Sequence, residues 1–221
     1  MVSIKNKIRI IIGILLVIIG LLLFLIPMSI DFFKNEKDEQ QKDELLNEVI
    51  SLIEQTEFED TEEDNTNTDE TNSDTQSNVE TPYKPYRTST NEEVDGVLYI
   101  DCIDLELPIL SNVTDSGLNK TCARVTNTPP PGCANYCIMG HNNKRYGVLF
   151  NRLKEVKVGD AIKVKATNGE FNYIVTETFV TEGLDHSILQ DVDNKKIITI
   201  FCCDYRKENG RLVVRGELSA S

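Results

Sequence analysis

The chain offers few groups that can do chemistry, and they are concentrated. Its 221 residues contain six cysteines, two histidines and no tryptophan. No Gly-x-Ser-x-Gly elbow, phosphate-binding glycine loop or His-Glu-x-x-His pair occurs. The thiols are Cys102, Cys122, Cys133, Cys137, Cys202 and Cys203. The last two end a β-branched run, Ile197–Cys203, that reads as a strand. Alternation sends Ile197, Thr199, Phe201 and Cys203 to one face and Ile198, Ile200 and Cys202 to the other. One of the adjacent cysteines then packs inside, and the other faces out as a working thiol. A thiol attacks as the thiolate, and histidine is its usual partner. His141 follows an apolar run, Asn135–Met139, and a glycine that permits close approach; His186 lies in Gly183-Leu184-Asp185-His186-Ser187, which reads as a surface turn. A histidine at a strand end also serves purely structural roles. Negative charge developing on a carbonyl oxygen needs a donor. Arg211 opens the strand after the Asn209-Gly210 turn, so a hairpin would carry it back towards the cysteine; Arg215 shares its face four residues on.

Two other uses of the thiols compete with this one. An oxidising compartment allows three disulfides, or two and a free pair, and the connectivity is not legible from spacing. Cys133, Cys137 and His141 recur every four residues, which would align metal ligands on a helix. The segment reads as a strand, however, where residues four apart are separated by about 13 Å. No metal and no cofactor is expected.

The elements that would position these residues form an all-β domain over residues 94–221. Strand patterns run over Val97–Asp101, Leu105–Leu110, Asn135–Met139, Ala161–Ala166, Phe171–Thr181, Ile197–Cys203 and Arg211–Leu218. Turn signals separate them at Asp95-Gly96, Gly159-Asp160, Asn168-Gly169 and Asn209-Gly210. One short helix is predicted near Val148–Leu153. Seven or eight short strands with one or two short helices point to a closed barrel or a sandwich, and no βαβ repeat is present.

The rest of the chain differs sharply in character. Residues 1–30 carry Lys5, Lys7 and Arg9 and no acid, whereas residues 31–93 hold 20 acidic side chains against 5 basic ones. Residues 94–221 are nearly balanced, so the net charge of −13 belongs to the middle segment. No segment is basic enough to suggest nucleic acid. Ile10–Ile30 is uncharged for 21 residues, enough to span a bilayer as a helix and too long for a signal-peptide core. The expected topology is a single-pass anchor in the plasma membrane over residues 10–30. The basic tip stays cytoplasmic and everything after it is extracytoplasmic. Residues 31–93 read as a spacer. Leu45, Leu46, Val49, Ile50, Leu52 and Ile53 suggest a short amphipathic helix that has no partner beyond a weak dimer seam. Residues 57–81 are too polar to fold and are expected to be a disordered acidic linker. They lack the spaced oxygen ligands and turn glycine of a calcium loop.

Taken together, the residues resemble the sortases, membrane-anchored cysteine transpeptidases of Gram-positive bacteria. Asn135-Tyr136-Cys137-Ile138-Met139-Gly140-His141 is similar to the family's strand ending in Gly-His. Phe150-Asn151-Arg152-Leu153 with Val158-Gly159-Asp160 resembles the segment that follows. Thr199-Ile200-Phe201-Cys202-Cys203 resembles the Thr-Leu-x-Thr-Cys signature, with Cys202 in place of the second threonine. Arg211-Leu212-Val213-Val214-Arg215-Gly216 resembles the strand that carries the family's arginine. The resemblance covers residues 94–221. The interval from His141 to Cys203 leaves no room for the extra helix of class B, so a class A, D or E-like member is implied.

The resemblance implies a closed sortase-like barrel with His141, Cys203 and Arg211 as catalytic residues and Thr199, Cys202 and Arg215 near the substrate. It further implies that Cys203 attacks the Thr–Gly bond of an LPXTG-like sorting signal on a surface protein or pilin. The thioester would pass to an amine of a cell-wall precursor or a pilin lysine. Two alternatives use the same residues differently: an extracytoplasmic cysteine hydrolase, and a non-enzymatic surface module stapled by disulfides.

Overall fold

A computed structural model of the chain describes residues 4–62, 83–183 and 185–219. It divides into two compact units, Met1–Gln41 and Lys42–Ser221. One long helix, α1 (Ile4–Glu62), contributes to both. In the first unit the described apolar side chains of residues 11–26, from Ile11 to Ile26, are exposed. Among the described residues no helix is long and apolar enough to cross a membrane.

The second unit is a barrel. Its strands are β1 (Tyr86–Arg87), β2 (Glu93–Ile100), β3 (Leu105–Leu110), β4 (Cys122–Arg124), β5 (Asn135–Met139), β6 (Ala161–Ala166), β7 (Gly169–Val180), β8 (Ile197–Cys203) and β9 (Arg211–Leu218). A short helix, α2 (Asp115–Lys120), precedes β4; it starts because the Thr114 hydroxyl accepts from the Gly117 N–H at 3.0 Å. The sheet runs β1-β2-β3-β4-β5-β8-β9-β7-β6, and β6 pairs back onto β2, so eight strands close the ring and β1 flanks it. β3–β4 and β5–β8 are parallel and the remaining pairs are antiparallel. The expected all-β barrel is therefore present. Five of the expected strands have the bounds read from their alternation, while β2 starts earlier and β7 is displaced by one or two residues. The helix expected at Val148–Leu153 is a 3₁₀ turn, Phe150–Glu155.

Closure depends on one glycine. A Cβ on Gly96 would sit 1.9 Å from the Lys165 carbonyl oxygen, and its φ of +152° is one that side chains rarely adopt. It marks the register shift where β2 must pair with β3 and β6 at once. The interior is then filled by the inward faces, with Leu98, Ile100, Ile109, Tyr136, Ile138, Phe150, Ile162, Tyr173, Ile198 and Ile200 all fully buried.

The amphipathic segment of the spacer behaves differently from expectation. Leu45, Val49 and Ile53 recur every fourth residue along α1 and are buried. Within this unit they join Tyr86, Val94, Val97, Leu110, Leu118 and Ala123 in one apolar cluster. The stripe thus has a partner in the barrel, and each buried side chain contributes roughly 1.5–3 kcal/mol. The helix also continues to Glu62, into the stretch expected to be disordered. Residues 63–82 of that linker lie outside the described residues. The expected spacer boundary at residue 93 falls inside β2, because Tyr86 and Arg87 already pair with Val94 and Glu93.

A second feature holds this side together. Asp95 is fully buried and accepts from Tyr83 Oη at 2.8 Å, Ser111 Oγ at 2.7 Å, Arg124 Nε at 2.8 Å and Tyr136 Oη at 3.1 Å. A carboxylate out of water needs such partners, and removing it strands all of them at once. Asp95→Ala is expected to cost about 3–5 kcal/mol. In thermal unfolding that is a loss on the order of 10 °C; a change of only one or two degrees would show that the hub is dispensable.

Candidate active site

The site begins with the parallel pairing of β5 and β8. Asn135 lies opposite Ile197, and the register holds without a shift to Met139 opposite Phe201. Every paired position is therefore separated by the interval that separates His141 from Cys203. The ladder runs on past the strand: Gly140 N donates to Phe201 O at 3.3 Å, and Asn142 Nδ2 donates to Cys203 O at 2.9 Å. His141 and Cys203 thus emerge side by side at the carboxyl ends of neighbouring strands, and both are exposed. Gly140 matters because a Cβ there would come within 2.7 Å of the Phe150 ring. With that ring close, Phe150 N donates to His141 O at 3.1 Å and fixes the backbone that carries the imidazole.

The pleat separates the two adjacent thiols. Cys202 points into the barrel core with Ile198 and Ile200 and is 2% exposed. Burial pushes its thiol up to about 12, so it stays protonated and unreactive. Cys203 faces out. The expectation that Cys202 contacts substrate is therefore corrected: its side chain belongs to the core. The disulfides that competed with the working-thiol reading are not formed in this structure, where all six cysteines are free. Cys122, Cys137 and Cys202 are buried and Cys102, Cys133 and Cys203 are exposed. Among the described residues no cluster of three or more His, Cys, Asp or Glu side chains could hold a metal ion.

Both arginines lie across the hairpin from the β8 residues that alternation assigns to the outer face. Arg211 pairs directly with Cys203, and Arg215 with Thr199. Arg211 N donates to Thr181 Oγ1 at 2.9 Å, while its Nη1 donates to the turn carbonyls of Asn209 and Gly210 at 3.0 and 3.1 Å. The guanidinium is thus held beside the thiol's strand end, on carbonyls that a stronger acceptor could replace. Arg215 is committed elsewhere. Its Nε donates to Thr199 Oγ1 at 3.3 Å, its Nη1 donates to Glu177 at 2.6 Å, and it lies over the Phe179 ring. Thr199 is fully buried and donates to Asn135 Oδ1 at 2.7 Å. Asn135 Nδ2 in turn donates to the carbonyls of Ile188 and Gln190. Thr199 therefore offers substrate no open atom. Together with Arg215 and Asn135 it ties the 3₁₀ turn His186–Leu189 to the sheet. Ile188 of that turn packs with Phe201 and Val213 in a small buried cluster beneath the face that Cys203 shares. His186 is exposed on the turn and takes no part in this network.

A cleft of about 410 Å³ is lined by Asn142, Lys144, Lys154, Asp204, Tyr205 and Arg206, among others; neither His141 nor Cys203 lines it. Tyr205 Oη donates to Asn142 O and joins the loops after His141 and after Cys203. Asn135, Asn142 and Tyr205 were not singled out from the sequence. Asn135 had a signal, as the one amide inside an apolar strand; the two loop residues had none. An exposed thiol beside an imidazole, with a guanidinium across the hairpin, is suited to nucleophilic attack on a carbonyl and stabilisation of the oxyanion.

The sortase-domain family model matches residues 98–219. Sortase A of Bacillus anthracis is 31% identical over 127 residues, 58% of this chain and 60% of that protein. The chain thus spans about three fifths of that relative's length. Among solved structures, a Clostridium perfringens sortase D5 transpeptidase is similar at TM-score 0.53 and 28% identity, covering 58% of this chain and 80% of that one. Listeria monocytogenes sortase A is similar at TM-score 0.54 and 26% identity, covering 57% and 88%.

Brief alkylation of the native chain with iodoacetamide, mapped by peptide mass, is expected to label the exposed Cys203 and Cys133 and to spare the buried Cys202, Cys137 and Cys122; Cys102 is exposed but should react more slowly, because burial and its hydrogen bond to Asp160 push its thiol up to about 11. Labelling of Cys202 at a rate comparable to Cys203 would mean that β8 is one residue out of register.

Proposed function

Since the chain belongs to the sortase family, we propose that it is a cysteine transpeptidase acting on an LPXTG-like sorting signal. The observation that carries this reading is the unshifted β5–β8 register, which sets His141 and Cys203 abreast. The Cys203 thiolate attacks the carbonyl carbon of the Thr–Gly bond. Arg211 turns from the Asn209 and Gly210 carbonyls to the oxygen that gains charge, because a charged acceptor makes the stronger bond. The C–N bond breaks as His141 gives its proton to the leaving amine. This leaves a thioester on Cys203. An acceptor amine, from a cell-wall precursor or a pilin lysine, then attacks the thioester carbon and passes a proton to His141. The C–S bond breaks and the thiolate returns. Cys203 and His141 react directly, while Thr199 and Arg215 act from beneath, by fixing the His186–Leu189 turn whose Ile188 packs under the strand that carries Cys203.

The uncharged run Ile10–Ile30, preceded by Lys5, Lys7 and Arg9, supports a plasma-membrane anchor with the barrel outside the cell. Class A, D or E character is supported by the sortase A and sortase D5 likenesses. Hydrolysis to a free acid is the competing outcome for the same thioester.

The test is to incubate the full chain in detergent with an LPXTG-type peptide, with and without hydroxylamine, and to follow intact mass and products. A thioester adduct on Cys203 and a hydroxamate product are expected, and Cys203→Ala should lose both. His141→Ala should slow turnover by about 10²–10⁴-fold. Release of acid alone, at a rate indifferent to added amine, would make the protein a cysteine hydrolase.

A further inference from the structure

One residue near the site holds a backbone that its type disfavours. Leu149 has φ +50° and ψ −134°, a region that glycine favours and where a leucine persists only if its surroundings hold it. Its side chain is buried in the barrel core, which supplies that hold. Leu149 leads directly into the 3₁₀ turn Phe150–Glu155. That turn is a fixed block. Phe150 and Leu153 are fully buried, and Arg152 Nη1 donates to Ile103 O at 2.8 Å and to Asp104 Oδ2 at 2.9 Å.

The strained corner closes on the segment that carries His141. Leu149 forms an isolated antiparallel bridge with Asn142. Phe150 N donates to His141 O at 3.1 Å, and Asn151 Nδ2 donates to Asn143 O at 2.6 Å. Three consecutive corner residues thus meet Asn142, His141 and Asn143 in turn. The Phe150 ring completes the grip from below. A Cβ added to Gly140 would lie 2.7 and 2.8 Å from two of its carbons, so the ring fits only because residue 140 has no side chain. Towards the thiol the contact is weaker, with Cys202 Sγ 4.0 Å from Phe150 O.

We propose that the Leu149–Asn151 corner is a clamp that sets His141 for proton transfer, with Phe150 as the positioning residue. The inference rests on the acyl-transfer reading above and adds the residues on which its general acid depends. Phe150 is fully buried, so it acts through the backbone of Gly140 and His141 and not on substrate. The step it serves is the cleavage. His141 gives its proton to the amine nitrogen, the C–N electron pair stays on that nitrogen, and the thioester remains on Cys203. The proton must arrive as that bond breaks, and a misplacement of about 1 Å can cost on the order of 100-fold. Attack by the Cys203 thiolate makes no such demand on the clamp.

The test is leaving-group dependence, measured on the full chain in detergent. Phe150→Leu keeps an apolar side chain and removes the ring. It is expected to slow acylation by the Thr–Gly amide peptide about 10–100-fold. The same peptide with a thioester in place of that amide expels a thiolate that needs no proton, so its rate should fall less than about 3-fold. In a His141→Ala background, Phe150→Leu should cost nothing further on the amide, because the two residues act as a unit. Equal losses on both peptides, or in both backgrounds, would make Phe150 a core residue only and overturn the proposal. Gly140→Ala presses on the ring from the other side and should show the same selectivity for the amide. Adding Phe150→Leu to it should recover part of the lost rate, which a misfolded barrel would not do. A chain that forms no acyl-enzyme from either peptide would overturn the transpeptidase reading instead. The clamp is then read by NMR. The chain has two histidines, and His186→Gln assigns their imidazole signals. Phe150→Leu should move the His141 signal and leave that of His186 in place; a His141 signal that stays put would refute the clamp.

Discussion

Everything at the site hangs on one parallel strand pairing. β5 and β8 come from distant parts of the chain, and each ends in a residue that could react. Parallel hydrogen bonds are slanted and evenly spaced, so a register once set is carried along the whole pair. Here five consecutive pairs, from Asn135–Ile197 to Met139–Phe201, carry it to the ends. Asn142 then caps it by donating to the Cys203 carbonyl. A slip of one residue would separate His141 from Cys203 and also turn Cys203 into the barrel. The register resists that slip because the interior faces of both strands, with Tyr136, Ile138, Ile198 and Ile200, are fully buried.

That constraint is local, and the barrel around it needs separate support. Gly96 allows β2 to serve two neighbours and so closes the ring. One residue earlier, Asp95 draws Tyr83, Ser111, Arg124 and Tyr136 to a single carboxylate. Tyr136 belongs to β5, so the hub bears on the strand that delivers His141. A buried ion pair is seldom a net source of stability against an apolar substitute. Its effect here is to specify: of the ways the segment beginning at Tyr83 could meet the barrel, one satisfies the carboxylate. The apolar stripe of α1 works beside it, with Leu45, Val49 and Ile53 over Val94, Val97 and Leu110. A barrel cut at the linker would expose that cluster.

Much of this was legible because β structure writes its geometry into alternation. The runs that became β3, β5, β6, β8 and β9 alternate or are short apolar, β-branched runs, and their observed ends match. The same period told Cys202 from Cys203. What was not legible depended on partners. The stripe on α1 is an ordinary amphipathic pattern, and nothing in it says that a barrel surface waits more than thirty residues on. β4, three residues long, and β1, two, are too short to show a period. Thr199 and Arg215 were correctly seen as facing the site's side of the sheet. Their polar atoms are nevertheless spent on Asn135 and Glu177, and only the third dimension shows that.

The pleat also divides the chemistry around the thiol. Cys203 and Arg211 pair across the hairpin on the outer face, while Cys202 and Leu212 pair one residue earlier and turn into the core. On the outer face Phe201, Val213 and Ile188 are already buried against one another, so the strand that carries Cys203 rests on packed side chains that hold its position. Cys203 itself is exposed. A thioester formed there faces both water and amine, and the effective concentration of each beside the acyl carbon decides which one resolves it.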